Sequence, residues 1–299
     1  MEGVFMLAFL RQQGVKECLI KGLEEYRRAY PWTNPDRPLL KPGYLFYGRE
    51  IWEQSLGALL AGENLLLAGP KATGKNVLAE NLAYCFGRGD WNVSFHVNMD
   101  AAMMLGMDTF RNGQVQFRPG PVYSCAESGG FCILDEINMA RNEALASLHA
   151  ILDFRRILDV PGYGRLKMHP ATRFVATMNY GYAGTRELNE ALVSRFAVIA
   201  MPPADEGMVN TIVGKEYGDL PDKTRKAVVG LFMDLQLRYQ QGEISGRAVD
   251  LRGLMGALAI YRQGVDLRAA LELGLANKVF NEEEKLLLKD LLDLRIGRK

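Results

Sequence analysis

The stretch "GPKATGKN", Gly69 to Asn76, lies between the apolar run "NLLLAG" and the segment "KNVLAENLAYCFG". It fits the phosphate-loop pattern G-x-x-x-x-G-K-[ST] at Gly69, Gly74 and Lys75, and departs from it at Asn76, where a metal-binding hydroxyl is expected. "NLLLAG" reads as a short strand buried on both faces of a parallel sheet. "KNVLAENLAYCFG" reads as a helix, with Val77, Leu78, Leu82 and Cys85 near helical spacing and Gly87 as its stop. In this context of strand, loop and helix, Gly69, Pro70, Lys71, Ala72, Thr73, Gly74, Lys75, Asn76 and Val77 form the expected nucleotide-binding segment. Backbone N–H groups cradle phosphates, the helix N-terminus adds partial positive charge, and Lys75 reaches the β- and γ-phosphates. Asn76 offers a carbonyl oxygen, a chemically acceptable Mg²⁺ ligand, but on a longer and differently directed side chain than Ser or Thr. Phosphate binding is therefore expected to survive Asn76, and its effect is expected on magnesium placement and turnover.

Working outward, "VSFHV", "FCILDE", "RFVATMN" and "FAVIAM" are further apolar runs, each separated by enough chain for a crossover. The pattern predicts a parallel α/β sheet flanked by helices. "FCILDE" puts Asp135 and Glu136 at the C-terminal end of a strand, on the crevice side of an open sheet. Asp135 is there a candidate holder of Mg²⁺ through water, and Glu136 a candidate general base.

The 299 residues are 48% hydrophobic and 24% charged, an ordinary globular composition whose length suggests roughly two domains. With 36 Lys+Arg against 35 Asp+Glu, the net charge of +1 supplies no global field for nucleic acid or an anionic membrane. The cysteines Cys18, Cys85, Cys125 and Cys132 lack zinc or disulfide spacing, and a reducing cytoplasm is expected. Val4 to Leu10 is apolar but too short to span a bilayer and lacks the flanks of a targeting segment, so it reads as part of a helix continuing to Tyr30. "PWTNPDRPLLKPG" then reads as an extended linker.

"GPKATGKN", "FCILDEIN", "VATMNY", "NEALVSRF" and "AVDLRGLMGALAIYRQGVDLRAAL", in this order, resemble the AAA+ ATPases of the MoxR type, closest to the CbbQ/NorQ branch, over roughly Leu45 to Glu284. The resemblance implies a P-loop NTPase domain over residues 42–204 and a small all-α lid over 205–299, and the N-terminal helix and linker, 1–41, lie outside it. It implies ATP and Mg²⁺ as cofactors, with Asn76 and Asp135 on the metal side. Asn179 takes the sensor-1 place beside the γ-phosphate, Arg195 that of a finger reaching a neighbouring subunit's nucleotide, and Arg252 that of sensor 2, with Arg247 close enough to compete. It also implies a ring, expected as a hexamer, acting on a protein partner, in this family often through a von Willebrand factor A domain protein.

"VNMDAAMMLGMDTFRNGQVQFRPGPVYSCAESGG" resembles the family's helix-2 insertion and hairpin, where Leu105 and Gly106 match a recurring pair and Gly120 and Gly129 fall at turns. Met103, Met104, Leu105 and Met107 are either core or a flexible contact surface. Asn98 either restrains Glu136 or closes a turn. "DFRRILDVPGYGRLKMHPATRF" resembles the hairpin before sensor 1, with "PGYG" as its turn, and it is the most basic local stretch. Its Arg155 and Arg156 are either solvated charge or groups acting on a neighbour's nucleotide. His96, read as lying in a strand, His149 and His169 share no metal-ligand or triad spacing. Three functional classes follow: an ATP-driven remodelling chaperone, a nucleic-acid motor or restriction-type nucleotidase, and a nucleotide-gated scaffold with weak hydrolysis. Balanced charge and the absence of an added DNA-binding module weigh against the second.

Overall fold

The computed structural model describes residues 2–160, 162–180 and 186–297, so Pro161 of the "PGYG" turn lies outside the described residues. The chain divides into two compact units, Met1–Pro70 with Gly74–Met201, and Pro202–Lys299 with Lys71–Thr73. The first carries α1 (Glu2–Gln12), α2 (Glu17–Ala29), α3 (Arg49–Ala61), β1 (Asn64–Gly69), α4 (Lys75–Cys85), β2 (Asp90–Ser94), α5 (Ala101–Leu105), β3 (Gly106–Arg111) and β4 (Gln114–Pro119). It continues with α6 (Pro121–Ser128), β5 (Phe131–Asp135), α7 (Asn142–Ile151), β6 (Ile157–Val160), β7 (Gly164–Lys167), β8 (Arg173–Asn179), α8 (Glu190–Val193) and β9 (Phe196–Ala200).

Five strands form one parallel sheet in the order β2, β5, β8, β1, β9. This is the parallel sheet expected from the alternating runs. The burial of each strand follows its place. β1 is buried at every position and β5 and β8 at nearly every one, because helices cover both faces. The edge strands β2 and β9 alternate instead. That alternation displaces one expectation: the strand read at "VSFHV" begins earlier, at Asp90, with Trp91 and Val93 in the core, and ends at Ser94. His96 therefore lies beyond the strand and is exposed. Two antiparallel hairpins, β3–β4 and β6–β7, interrupt the crossovers.

The N-terminal region also departs from expectation. The helix read as continuing to Tyr30 is broken at Gly14, whose φ of +76° only glycine adopts at little cost. Val15 is buried at the break, and α2 then buries Ile20, Leu23 and Tyr26. The segment 31–43 has no regular structure, yet it is docked at the edge strand and does not run free. The Trp32 ring meets Trp91 edge-on at 6.2 Å, with the Arg88 guanidinium over Trp32 at 4.4 Å and that of Arg37 over Trp91 at 4.9 Å. An edge strand left bare would offer unpaired N–H and C=O groups to other chains, and this aromatic strap lies beside β2.

The second unit is helical: α9 (Glu206–Glu216), α10 (Asp222–Gln240), α11 (Leu251–Arg262), α12 (Leu267–Gly274) and α13 (Glu282–Ile296). Val213, Phe232, Leu254, Leu258, Leu271 and Leu288 are among the side chains of its core. The backbones of α11 and α12 touch at Gly253 and Gly274, where a Cβ on either would meet the other's carbonyl oxygen at 2.3 to 2.4 Å.

The Tyr26 hydroxyl donates to the Ala171 carbonyl at 2.5 Å and fastens α2 to the loop that enters β8. Tyr26→Phe should cost about 1–2 kcal/mol by removing a buried donor. Thermal melting should fall by roughly 2–8 °C. An unchanged melting temperature would mean that α2 is held by packing alone.

Candidate active site

The site is built where β5, β8 and β1 end side by side, with Gly69 opposite Asn179 in the register of β1 and β8. Gly69 must be glycine: an added Cβ would lie 2.6 Å from the Met201 carbonyl oxygen, in the chain that follows β9. Beyond it the loop turns through Ala72 at φ +61° and Gly74 at φ +81° before α4 begins at Lys75. The Phe46 ring lies against Gly74, at 3.2 Å from where a Cβ would stand. Phe46 is fixed in turn, its N–H donating to Asn81 Oδ1 on α4 and its carbonyl accepting from Trp52 Nε1.

Lys75 is buried, and its Nζ donates to the carbonyls of Gly69 at 3.0 Å and Pro70 at 2.6 Å. Burial pulls its pKa from 10.5 down to about 8, against the opposing pull of the Asp135 and Glu136 charges. Because the folded value is the lower one, the unfolded chain binds more protons between about pH 8 and 10.5. This group's contribution to stability accordingly rises with pH across that window, and below it the cost of burying the charge is borne in full.

The carboxylates form a connected set. Asp135 Oδ2 accepts from Asn76 Nδ2 at 3.0 Å and Oδ1 from Thr177 Oγ1 at 2.5 Å. The same Thr177 oxygen accepts the Glu136 backbone N–H at 3.0 Å. Glu136 itself is in the left-handed region, φ +53° and ψ +45°, and its Oε1 accepts from Asn179 Nδ2 at 2.9 Å. Asn138 is 1% exposed and donates through Nδ2 to the Asn179 carbonyl at 2.7 Å. The structure thus brings together Lys75, Asn76, Asp135, Glu136 and Asn179. Asn98, weighed as a restraint on Glu136, is exposed, and its backbone N–H donates to His96 Nδ1.

The expected arginines are placed differently. Arg195 is half-buried, with Nε donating to the His149 carbonyl at 3.2 Å and an Nη to the Ala191 carbonyl. Its charge, after burial, lowers the His149 pKa. Arg252 is exposed on the first turn of α11, with no hydrogen bond or ion pair among the described residues, whereas the Arg247 guanidinium lies over the Phe280 ring at 5.6 Å. Among the hairpin arginines, Arg155 is exposed and pairs with Asp153. Arg156 is half-buried, and its Nη2 donates to the Thr172 carbonyl at 2.8 Å. The methionine group divides, Met104 and Leu105 buried, Met103 and Met107 nearly half exposed.

Among the described residues no three or more His, Cys, Asp or Glu side chains gather as a metal cluster. The donors present, one amide and one carboxylate on opposite sides of a 3.0 Å hydrogen bond, suit a hard cation whose other ligands are water and phosphate oxygens.

The model of the AAA domain (dynein-related subfamily) matches residues 64–196. The chain is 31% identical over 258 residues to YojN of Bacillus subtilis (strain 168), 84% of each chain. It is 30% identical over 251 residues to SERP0979 of Staphylococcus epidermidis, 82% of this chain and 95% of that one. The chain belongs to the AAA+ family, dynein-related subfamily. A RuvB variant from Thermotoga maritima has the same fold, with a TM-score of 0.51 at 16% identity over 87% of this chain and 76% of that one. The matched AAA+ domain contains β1, β5, β8 and the whole carboxylate set.

Sequence reasoning missed Thr177, Asn138 and Phe46. Thr177 is disguised as an ordinary strand residue, and its signal is only its place two residues before Asn179.

If nucleotide phosphates draw near the Lys75 amine they raise its pKa, so ATP binding near pH 8 should take up roughly half a proton. Calorimetry in buffers of different ionisation enthalpy measures this. A binding enthalpy independent of buffer would contradict the placement of Lys75 at the phosphates.

Proposed function

We propose that the chain is an ATP-driven remodelling chaperone of the MoxR type, closest to the CbbQ/NorQ branch, working as a ring on a protein partner. The observation that carries this reading is the single hydrogen-bonded set of Asn76, Asp135, Thr177, Glu136 and Asn179 beside the buried Lys75. In this reading residues 69–77 cradle the phosphates, and Lys75 leaves the carbonyls of Gly69 and Pro70 to contact the β- and γ-phosphates. Glu136 takes the proton of the attacking water, and Asn179 holds both the Glu136 carboxylate and that water. Asn76 and Asp135 would hold Mg²⁺. Bound there, the metal would supply charge neutralisation to the phosphates.

Residues 42–204 serve as the nucleotide-binding domain, 205–299 as the lid and 1–41 as an N-terminal addition. Arg195 acts on a neighbouring subunit's nucleotide after releasing the carbonyls of His149 and Ala191. Arg252 is the sensor-2 group, a choice supported by its lack of any hydrogen bond or ion pair among the described residues and by the stacking of Arg247 on Phe280. A ring, expected as a hexamer, and a partner linked through a von Willebrand factor A domain protein complete the reading. Free Cys18, Cys85, Cys125 and Cys132 suit a cytoplasmic location. Among the described residues no helix is long and apolar enough to cross a membrane.

Glu136→Gln should bind ATP and fail to turn it over. Mixed with Arg195→Ala subunits, it should recover part of the wild-type rate, because some interfaces then join an intact Glu136 to an intact Arg195. No recovery on mixing would refute a shared site.

Asn76→Thr should raise kcat at limiting magnesium with little change in ATP affinity, since a better-placed ligand acts mainly on the transition state. Identical dependence of kcat on magnesium in the two proteins would show that Asn76 is an adequate ligand or none.

A further inference from the structure

The Thr177 hydroxyl stands between the two carboxylate residues and touches both. It is 1% exposed, on β8, with β5 on one side and β1 on the other. A hydroxyl has one proton and two lone pairs, and an ionised carboxylate only accepts. Here the directions of both bonds are fixed. Thr177 Oγ1 accepts the Glu136 N–H at 3.0 Å, so its own proton is committed to Asp135 Oδ1 at 2.5 Å. With Asn76 on Oδ2, both Asp135 oxygens are held and the carboxylate plane is set.

The second bond acts on the backbone. Glu136 leaves the strand in a left-handed conformation, unusual for a residue with a side chain, and this turn is what carries its carboxylate to Asn179. The N–H at the turn has its partner in Thr177. A valine has nearly the same shape and a strong strand preference, so the packing of β8 makes no demand for the hydroxyl. The two bonds to Asp135 and Glu136 do make that demand.

We propose that Thr177 is a positioning residue for ATP hydrolysis, its one hydroxyl fixing the aim of the Asp135 carboxylate and the backbone turn that presents Glu136. The inference rests on the hydrolytic reading of Asp135 and Glu136 given above. It assigns Thr177 to the rate of the chemical step and leaves nucleotide affinity to the phosphate loop.

Steady-state hydrolysis, equilibrium ATP binding and thermal melting of the full chain test it in wild type, Thr177→Val, Thr177→Ser and Glu136→Gln. Thr177→Val should lower kcat by about 10- to 100-fold, as loss of alignment commonly does. Its ATP affinity should stay within about twofold of wild type, because the hydroxyl bonds the Asp135 carboxylate and the Glu136 backbone N–H and not the loop, and its half-maximal magnesium concentration should rise as the Asp135 carboxylate loses its aim. Thr177→Ser keeps the hydroxyl and should restore most of the rate. Wild-type kcat in Thr177→Val, or an equal loss in Thr177→Ser, overturns the inference while a silent Glu136→Gln leaves the hydrolytic reading intact. Undiminished turnover in Glu136→Gln marks instead a failure of the hydrolytic reading, and the inference falls with it. Should Thr177→Val lose its cooperative melt, Thr177→Cys against Thr177→Ser decides: a slower Cys protein supports the role, and equal rates overturn it.

Discussion

A buried lysine sets the terms for the first unit. Taking the Lys75 ammonium out of water is unfavourable, and the fold offsets that cost with the carbonyls of Gly69 and Pro70 and with the charges of Asp135 and Glu136. Those carboxylates come near Lys75 because β5 ends beside β8 and β8 beside β1. Gly69 lets the chain after β9 close over the end of β1, with the Met201 N–H donating to the Ala68 carbonyl at 2.7 Å. A charge that the apolar core alone would reject is thereby held where an anion can claim it.

Much of this was legible in the sequence because the central strands are buried on both faces and therefore appear as continuous apolar runs. The phosphate loop and the Asp135–Glu136 pair followed from their motifs and places at the ends of those runs, and Asn179 from the family resemblance. What escaped has physical reasons. β2 is an edge strand with an alternating pattern, and the run "VSFHV" placed it too late. A single left-handed residue, Gly14, divides the N-terminal helix, and nothing in the flanking residues shows that the chain turns there. Thr177 matters through two hydrogen bonds across strands, and no spacing rule records these. From sequence only Asn98 was a candidate to meet Glu136, with Asn179 placed beside the γ-phosphate; in the structure it is Asn179 that bonds the Glu136 carboxylate.

The basic stretch before β8 shows charge used for structure. Arg156 and Arg173 direct their guanidinium groups at the carbonyls of Pro170 and Thr172, and Tyr26 takes that of Ala171. Burial lowers the pKa of both arginines, and carbonyl dipoles stand in for counter-ions. A sequence reading counts such arginines as solvated or outward-acting charge, yet here they tie down the loop that launches the strand carrying Thr177 and Asn179. Arg88, at the same end of the sheet just before β2, works in the same way, donating to the Ser128 and Gly129 carbonyls at the end of α6 and to that of Tyr30 at the end of α2.

The central claim is that the Lys75 amine and the carboxylate set beside it form a nucleotide-phosphate site. Titration calorimetry of ATP with magnesium, on wild type and Lys75→Ala, tests it most directly. Saturable binding in the wild type and loss of affinity by 100-fold or more in Lys75→Ala is the predicted result, since the variant has no other buried cation to meet the phosphates among the residues at this site. Equal affinity in the two proteins would contradict it.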